Sequence, residues 1–124
     1  MPARPLTDRH GLALSCTDAA AVHRYDAALA LLNRFDADPL AEIDVALEAS
    51  PGFVMGHAFR AGLMVMGCEA GVLPELRRSL AAAEALVGVA TEREYAHVAA
   101  AGLWAAGETD TARRRYGEIA ARWP

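Results

Sequence analysis

Three histidines in repeated surroundings are the side chains of this chain best suited to chemistry. His23, His57 and His97 open the segments His23-x3-Ala27-Ala28-Leu29, His57-x3-Ala61-Gly62-Leu63 and His97-x3-Ala101-Gly102-Leu103. An imidazole can ligate a metal, carry a proton near neutral pH or hydrogen-bond a partner. The offsets are 34 and 40 residues (57−23 and 97−57), which places the histidines one repeat unit apart. Equivalent positions of stacked helical hairpins lie about 8–10 Å apart. Zinc needs its ligands at about 2 Å, so such a row does not converge on one ion, and no metal or cofactor is expected. Glu94-x-x-His97 matches half of the carboxylate-bridged metal pattern, which needs a second such pair and two more glutamates. Glu94 is instead claimed by a capping box with Thr91. Cys16 and Cys68 lack CxxC or metal spacing, and Cys68, in a glycine-rich turn, has no assignable histidine and carboxylate partners. Asp8, Gly11 and Ser15 read as helix-capping residues before they read as an anion site. No phosphate loop, G-x-S-x-G or dinucleotide fingerprint occurs, and no catalytic residue is assigned.

The elements that carry these residues follow from punctuation and period. Ser15 and Asp18, or Thr17, cap a first helix to about Asn33, with Tyr25, Leu29 and Leu32 inward. Asp38-Pro39 opens a second helix with the stripe Leu40, Ile43 and Leu47, and Ser50-Pro51-Gly52 ends it. A third helix runs from Phe53 to Gly67. Gly71 and Pro74 precede a fourth, which carries Leu73, Leu76, Leu80, Ala83 and Val87. Thr91-x-x-Glu94 heads a fifth, which ends at Gly107. Thr109-Asp110 caps a sixth, which carries Ala112, Tyr116, Ile119 and Trp123. No segment alternates with period two. The reading is all-α: three helical hairpins over about 18–50, 53–87 and 91–123, after an irregular segment 1–16. A period of about 34 to 40 residues is that of a helical solenoid.

Gly107, Ala112, Tyr116 and Pro124 stand at the spacing G-x4-A-x3-F/Y-x7-P, in which the unit resembles a tetratricopeptide repeat. Ile43, Ala46-Leu47 and Pro51 repeat that ending in the first unit. More narrowly, the chain resembles the N-terminal part of the tetratricopeptide-repeat protein 38 family. The matching residues are Asp8-x-x-Gly11-Leu12-x-Leu14-Ser15, Ala27-Ala28-Leu29, Ala46-Leu47 with Pro51-x-Phe53, Thr91-x-Arg93-Glu94-x-x-His97-Val98 and Ala105-x-Gly107. The resemblance implies a right-handed solenoid whose leading helices line a concave groove. It places His23, His57 and His97 in that groove, with Arg60, Met64, Glu94 and Trp104. The implied function is a scaffold that binds a peptide or partner protein there. The alternative is a small-molecule or metal-binding protein, or an enzyme, that uses the histidines. Tyr116, Ile119 and Trp123 form an uncovered end, which predicts self-association through the last helix.

Bulk composition narrows the classes further. The chain has 124 residues, enough for one domain, and a net charge of −4. That balance lacks the basic stripe of a nucleic-acid binder. Arg113-Arg114-Arg115 fans over several helix faces and reads as solvated surface. All twelve basic residues are Arg, a usage associated with GC-rich bacterial coding. Hydrophobic residues make up 54% but aromatics only 6%, so alanine must do much of the packing and each ring should anchor a contact. The stretch from Phe53 to Leu73 is broken by His57, Arg60 and Glu69 and is too short for a membrane span. No apolar leader occurs in Met1 to His10. A cytoplasmic location with reduced thiols is expected.

Overall fold

The computed structural model describes residues 6–16, 18–34, 39–67, 71 and 73–123. Six α-helices fill them: α1 (Ala19–Arg34), α2 (Pro39–Ala49), α3 (Val54–Gly67), α4 (Leu73–Glu84), α5 (Glu92–Ala105) and α6 (Thr109–Arg122). There is no strand among the described residues; Thr7 and Ala13 form one isolated bridge. Helices pair in chain order, α1 with α2, α3 with α4 and α5 with α6. Between pairs, α2 meets α3, α3 meets α5 and α4 meets α5.

Local chemistry sets most boundaries. Asp18 Oδ1 accepts from the Ala20 amide at 3.0 Å and the Ala21 amide at 3.5 Å, so Asp18 caps α1. Its carboxylate also takes a hydrogen bond from the Ser50 hydroxyl, which holds it below the usual carboxylate range. The Ser15 hydroxyl plays no part in that cap; it is buried and has no hydrogen-bond partner. Pro39 opens α2 as expected, because a first-turn residue needs no amide donor. The capping box of α5 is present in full. Gly107 follows α5 at φ +88°, a conformation that glycine adopts without a Cβ penalty. Two expectations are corrected. The fourth helix stops at Glu84, and Val87 lies in a short 3-10 turn, Val87–Val89, beside Gly88. Thr109 and Asp110 lie inside the first turn of α6, behind a Glu108 that makes no side-chain cap. The Thr17 and Asp38 caps, Cys68 and Pro124 lie outside the described residues.

Packing follows from small residues placed between a few large ones. Ala28, Ala46, Ala61, Ala100 and Ala101 are fully buried, and Ala112 nearly so. Methyl-sized side chains let helix axes approach toward the short end of the usual 8–10 Å. Gly56 marks the tightest approach: a Cβ there would lie 2.9 Å from Leu47 Cδ2 and Phe53 Cδ2. Tyr25, 1% exposed, anchors the centre. Its ring meets Phe53 edge-on at 5.7 Å and Phe59 at 5.4 Å. Each such pair adds about 0.5–1.5 kcal/mol beyond area burial.

From Leu6 to Cys16 the segment before α1 has no helix or strand, and its backbone is nevertheless hydrogen-bonded into a narrow turn. Leu14 N–H donates to Leu6 O at 2.8 Å, and Asp8 N–H donates to Leu12 O at 2.9 Å. Gly11 turns the chain between them at φ +78°. Asp8 Oδ1 accepts the His10 and Leu12 amides at 2.9 and 3.0 Å. The turn is fastened to α5, far along the chain. Arg93 pairs with Asp8 Oδ2 at 3.3 Å, with side-chain exposures of 12% and 0%. Ser15 N–H donates to Glu94 Oε2 at 3.1 Å. Cys16 is a buried free thiol whose pKa burial pushes up.

Candidate functional site: two equivalent hollows

The structure sends the three histidines to different surroundings. His23 is exposed. His57 is half-buried, and its Nε2 lies 2.7 Å from the Pro51 carbonyl, to which it donates. His97 packs edge-on against Tyr116 of α6, with ring centroids 6.3 Å apart. Arg60 leaves the expected groove altogether: it bonds Asp44 of α2 at 2.7 Å and Ser79 and Glu75 of α4 at 2.8 and 3.3 Å. Met64 is a core residue at 7% exposure and Glu94 is fully buried, while Trp104 packs against the core. The physical reason is helical phase. His57, Arg60 and Met64 form one stripe of α3, and Arg60 shows that this stripe turns toward the trailing helices α2 and α4. His97 and Tyr116 repeat the arrangement between α5 and α6. The three imidazoles thus have different neighbours: His23 is exposed, His57 meets the Pro51 carbonyl and His97 meets Tyr116.

Another face of the leading helices is open instead. On α3, residues Met55, Ala58, Phe59, Gly62, Leu63 and Met66 line a hollow of about 330 Å³. On α5, residues Tyr95, Val98, Ala99, Gly102, Leu103 and Ala106 line a groove of about 970 Å³. Adding 40 to each of these six numbers gives the second set, the same offset that relates His57 to His97, while Val65 on α3 and Glu92 and Ala96 on α5 line their hollows without a counterpart. Most of the residues that line the two hollows from α3 and α5 therefore correspond. The α3 copy is covered by its neighbours: Tyr25 and Leu29 reach it from α1, Arg93 and His97 from α5, and Tyr116 from α6. The α5 copy differs in burial, since Tyr95 and Ala99 are exposed where Met55 and Phe59 are buried. Val87 stands on one side, and Ile119 and Trp123 of α6 stand on the other. Tyr95 is 55% exposed and Val87 46%.

The glycines inform this surface. A Cβ at Gly62 or Gly102 would meet nothing within 4 Å. Glycine inside a helix costs about 1 kcal/mol relative to alanine, and no contact within the chain requires it at either position. A flat floor lets another backbone come close. The signal was present in the sequence as Ala61-Gly62-Leu63 and Ala101-Gly102-Leu103. The alanine of each motif is buried, and the glycine and leucine face the hollow.

Tyr116, Ile119 and Trp123 do not form a single bare end. Tyr116 is half-buried over the smaller hollow, whereas Ile119, at 7% exposure, and Trp123 line the larger groove. The Arg122 guanidinium lies 4.5 Å over the Trp123 ring. The same Arg122 holds α6 to the start of α5 through Glu92, at 2.6 and 3.0 Å. The rim is therefore salt-bridged while the floor is apolar.

Electrostatics separate the two copies. The smaller hollow holds the polar set Tyr25, Arg93, His97 and Tyr116. Burial, offset in part by the Arg93 charge and a hydrogen bond to Arg93, pushes the Tyr25 hydroxyl up to about 12. Burial raises Tyr116 to about 12. Burial first, and the Arg93 charge second, push His97 down to about 4. A histidine so depressed is neutral when folded, and the unfolded chain takes up its proton first on acidification. Its contribution is present above about pH 6.5 and is lost as pH falls toward 4, by up to roughly 3 kcal/mol. Urea denaturation of wild type and His97→Phe at pH 7 and pH 4.5 checks this. Wild type should lose more stability than the variant, and equal losses would refute the assignment.

Among the described residues no group of three or more His, Cys, Asp or Glu side chains could hold a metal ion. No described helix is long and apolar enough to cross a membrane. Comparison with family models, curated proteins and solved structures finds no match for this chain.

Proposed function

We propose that this chain is a protein-interaction module, a right-handed solenoid of three tetratricopeptide-like hairpins that receives an α-helix of a partner protein in the groove between α5 and α6. The observation that supports the reading most is the 40-residue equivalence of the two hollows. On α3, the leading and trailing helices of the next hairpin cover this face. On α5, no helix among the described residues covers the same face. What fits it is an element like the one that covers α3: an amphipathic helix with an apolar stripe at i, i+3, i+4 and i+7. The 14-residue length of α5 suits a partner helix of about 20 Å at 1.5 Å per residue. Apolar Tyr95, Val87 and Leu103 supply burial over a floor of Val98 and Ile119, Gly102 permits close approach, and the Glu92–Arg122 and Arg115–Glu118 pairs border the groove. The packing order of the helix pairs supports the repeat reading. The histidines take no part in this site.

Ala99 is exposed on the groove floor, so Ala99→Arg should block docking without disturbing the core. Peptides selected from a displayed random library are expected to share helical apolar periodicity and to bind Ala99→Arg at least about tenfold more weakly, since a desolvated charge opposes burial of the stripe. Selected peptides without that periodicity, or indifferent to Ala99→Arg, would refute the reading. A second copy of the chain is the competing occupant. Mass that rises with concentration in light scattering of wild type, and not of Ala99→Arg, would identify it.

A further inference from the structure

We infer that the smaller hollow, at the meeting of α1, α3 and α5, binds a small amphipathic carboxylate, with the carboxylate at Arg93 and a hydrocarbon or aromatic body against α3. The inference is independent of what fills the α5–α6 groove. The cavity volume of about 330 Å³ lies within the usual range of small-molecule sites. Its walls are apolar: Leu29 from α1, and Met55, Phe59 and Leu63 from α3. The polar side chains are Tyr25, Arg93, His97 and Tyr116, and they are predominantly donors. The Tyr25 hydroxyl is protonated. The His97 ring is neutral and offers one N–H.

Arg93 selects the head group. Its described partners are Asp8, through a single Nη1 contact at 3.3 Å, and Tyr25. A guanidinium carries five N–H donors in a planar fork that matches a carboxylate. The Asp8 contact uses one Nη1 donor, Arg93 lines the hollow, and the guanidinium has further N–H donors beyond that contact. Arg93 is already paired with Asp8, so the head group is held by N–H donation and not by spare positive charge, which disfavours a multiply charged phosphate more than a single carboxylate. The apolar walls exclude a wholly polar ligand.

Isothermal titration with octanoate tests the inference, with octan-1-ol and octylamine as head-group controls. Octanoate should bind with a Kd of roughly micromolar to millimolar order, and both controls at least about tenfold more weakly. Gly62→Leu fills the hollow from its floor, where a Cβ meets nothing within 4 Å, and leucine favours the helix. It should fold and lose octanoate binding. Arg93→Lys keeps a charge for Asp8 but removes the planar fork, and should weaken octanoate several-fold while leaving octan-1-ol unchanged. No octanoate binding, equal binding of octanoate and octan-1-ol, or retained binding in folded Gly62→Leu would each overturn the inference.

Discussion

Arg93→Met should destabilise the chain by about 3–5 kcal/mol, the cost of removing one partner from a buried ion pair. Asp8 has no exposed side-chain surface and Arg93 only 12%. Methionine fills much the same volume, so the loss isolates charge and hydrogen bonding rather than a cavity. The Asp8 carboxylate would keep its two backbone donors from His10 and Leu12 but lose its cation, and the Tyr25 hydroxyl would lose its partner as well. Adding Asp8→Asn to Arg93→Met removes the stranded charge and should restore part of the loss. Equilibrium urea denaturation of the four proteins in a double-mutant cycle measures the coupling. Additive losses, or an Arg93→Met cost below about 1 kcal/mol, would show that the pair does not fasten the Leu6–Cys16 turn to α5.

Glu94→Ala is the second large effect, at about 2–4 kcal/mol. The carboxylate is fully buried and serves two amides, one local and one far along the chain. Its Oε1 accepts from Thr91 N–H at 2.8 Å, closing the capping box. Its Oε2 accepts from Ser15 N–H at 3.1 Å, across 79 residues. Loss of a helix cap costs about 1 kcal/mol, and a buried amide left without an acceptor costs about 1–3 kcal/mol. Glu94→Gln should cost less, because its amide oxygen still accepts one of the two bonds while its NH2 faces the other donor. Native-state hydrogen exchange provides the specific readout. Both the Ser15 and Thr91 amides should lose protection in Glu94→Ala, and a loss at Thr91 alone would reduce Glu94 to an ordinary cap.

Both predictions concern contacts that join the start of the chain to α5, and neither was legible from local pattern. Asp8 and Arg93 are 85 residues apart, and nothing in their spacing links them. Glu94 was legible as half of a capping box because that motif closes within four residues. Its second bond, to Ser15, belongs to the tertiary fold. The segment from Leu6 to Cys16 read as irregular because its backbone bonds form one narrow turn, too short for a period-two pattern to register.

The hollows differ from the histidine row for a related reason. A 40-residue offset relates α3 to α5 wherever one looks along them, so the repeat marks equivalent residues without saying which face is open. Large side chains normally fix that phase by their stripe. In α5 the buried positions Ala100 and Ala101 and the exposed position Ala99 carry the same residue type, so hydrophobicity alone does not distinguish inside from outside. Phase is then decided by partners on other helices, such as Asp44, Glu75 and Ser79 around Arg60.

By itself the sequence determined six helices, most of their ends, and the 40-residue correspondence between α3 and α5, because caps, prolines, glycines and helical period act within a few residues of one another. Only the tertiary structure decided which face of each leading helix is left open, that Arg60 and His97 turn to trailing helices, and that Asp8 and Ser15 are tied to α5. Those outcomes depend on which surfaces meet once the helices pack, and in an alanine-rich chain several faces of one helix are small enough to be buried.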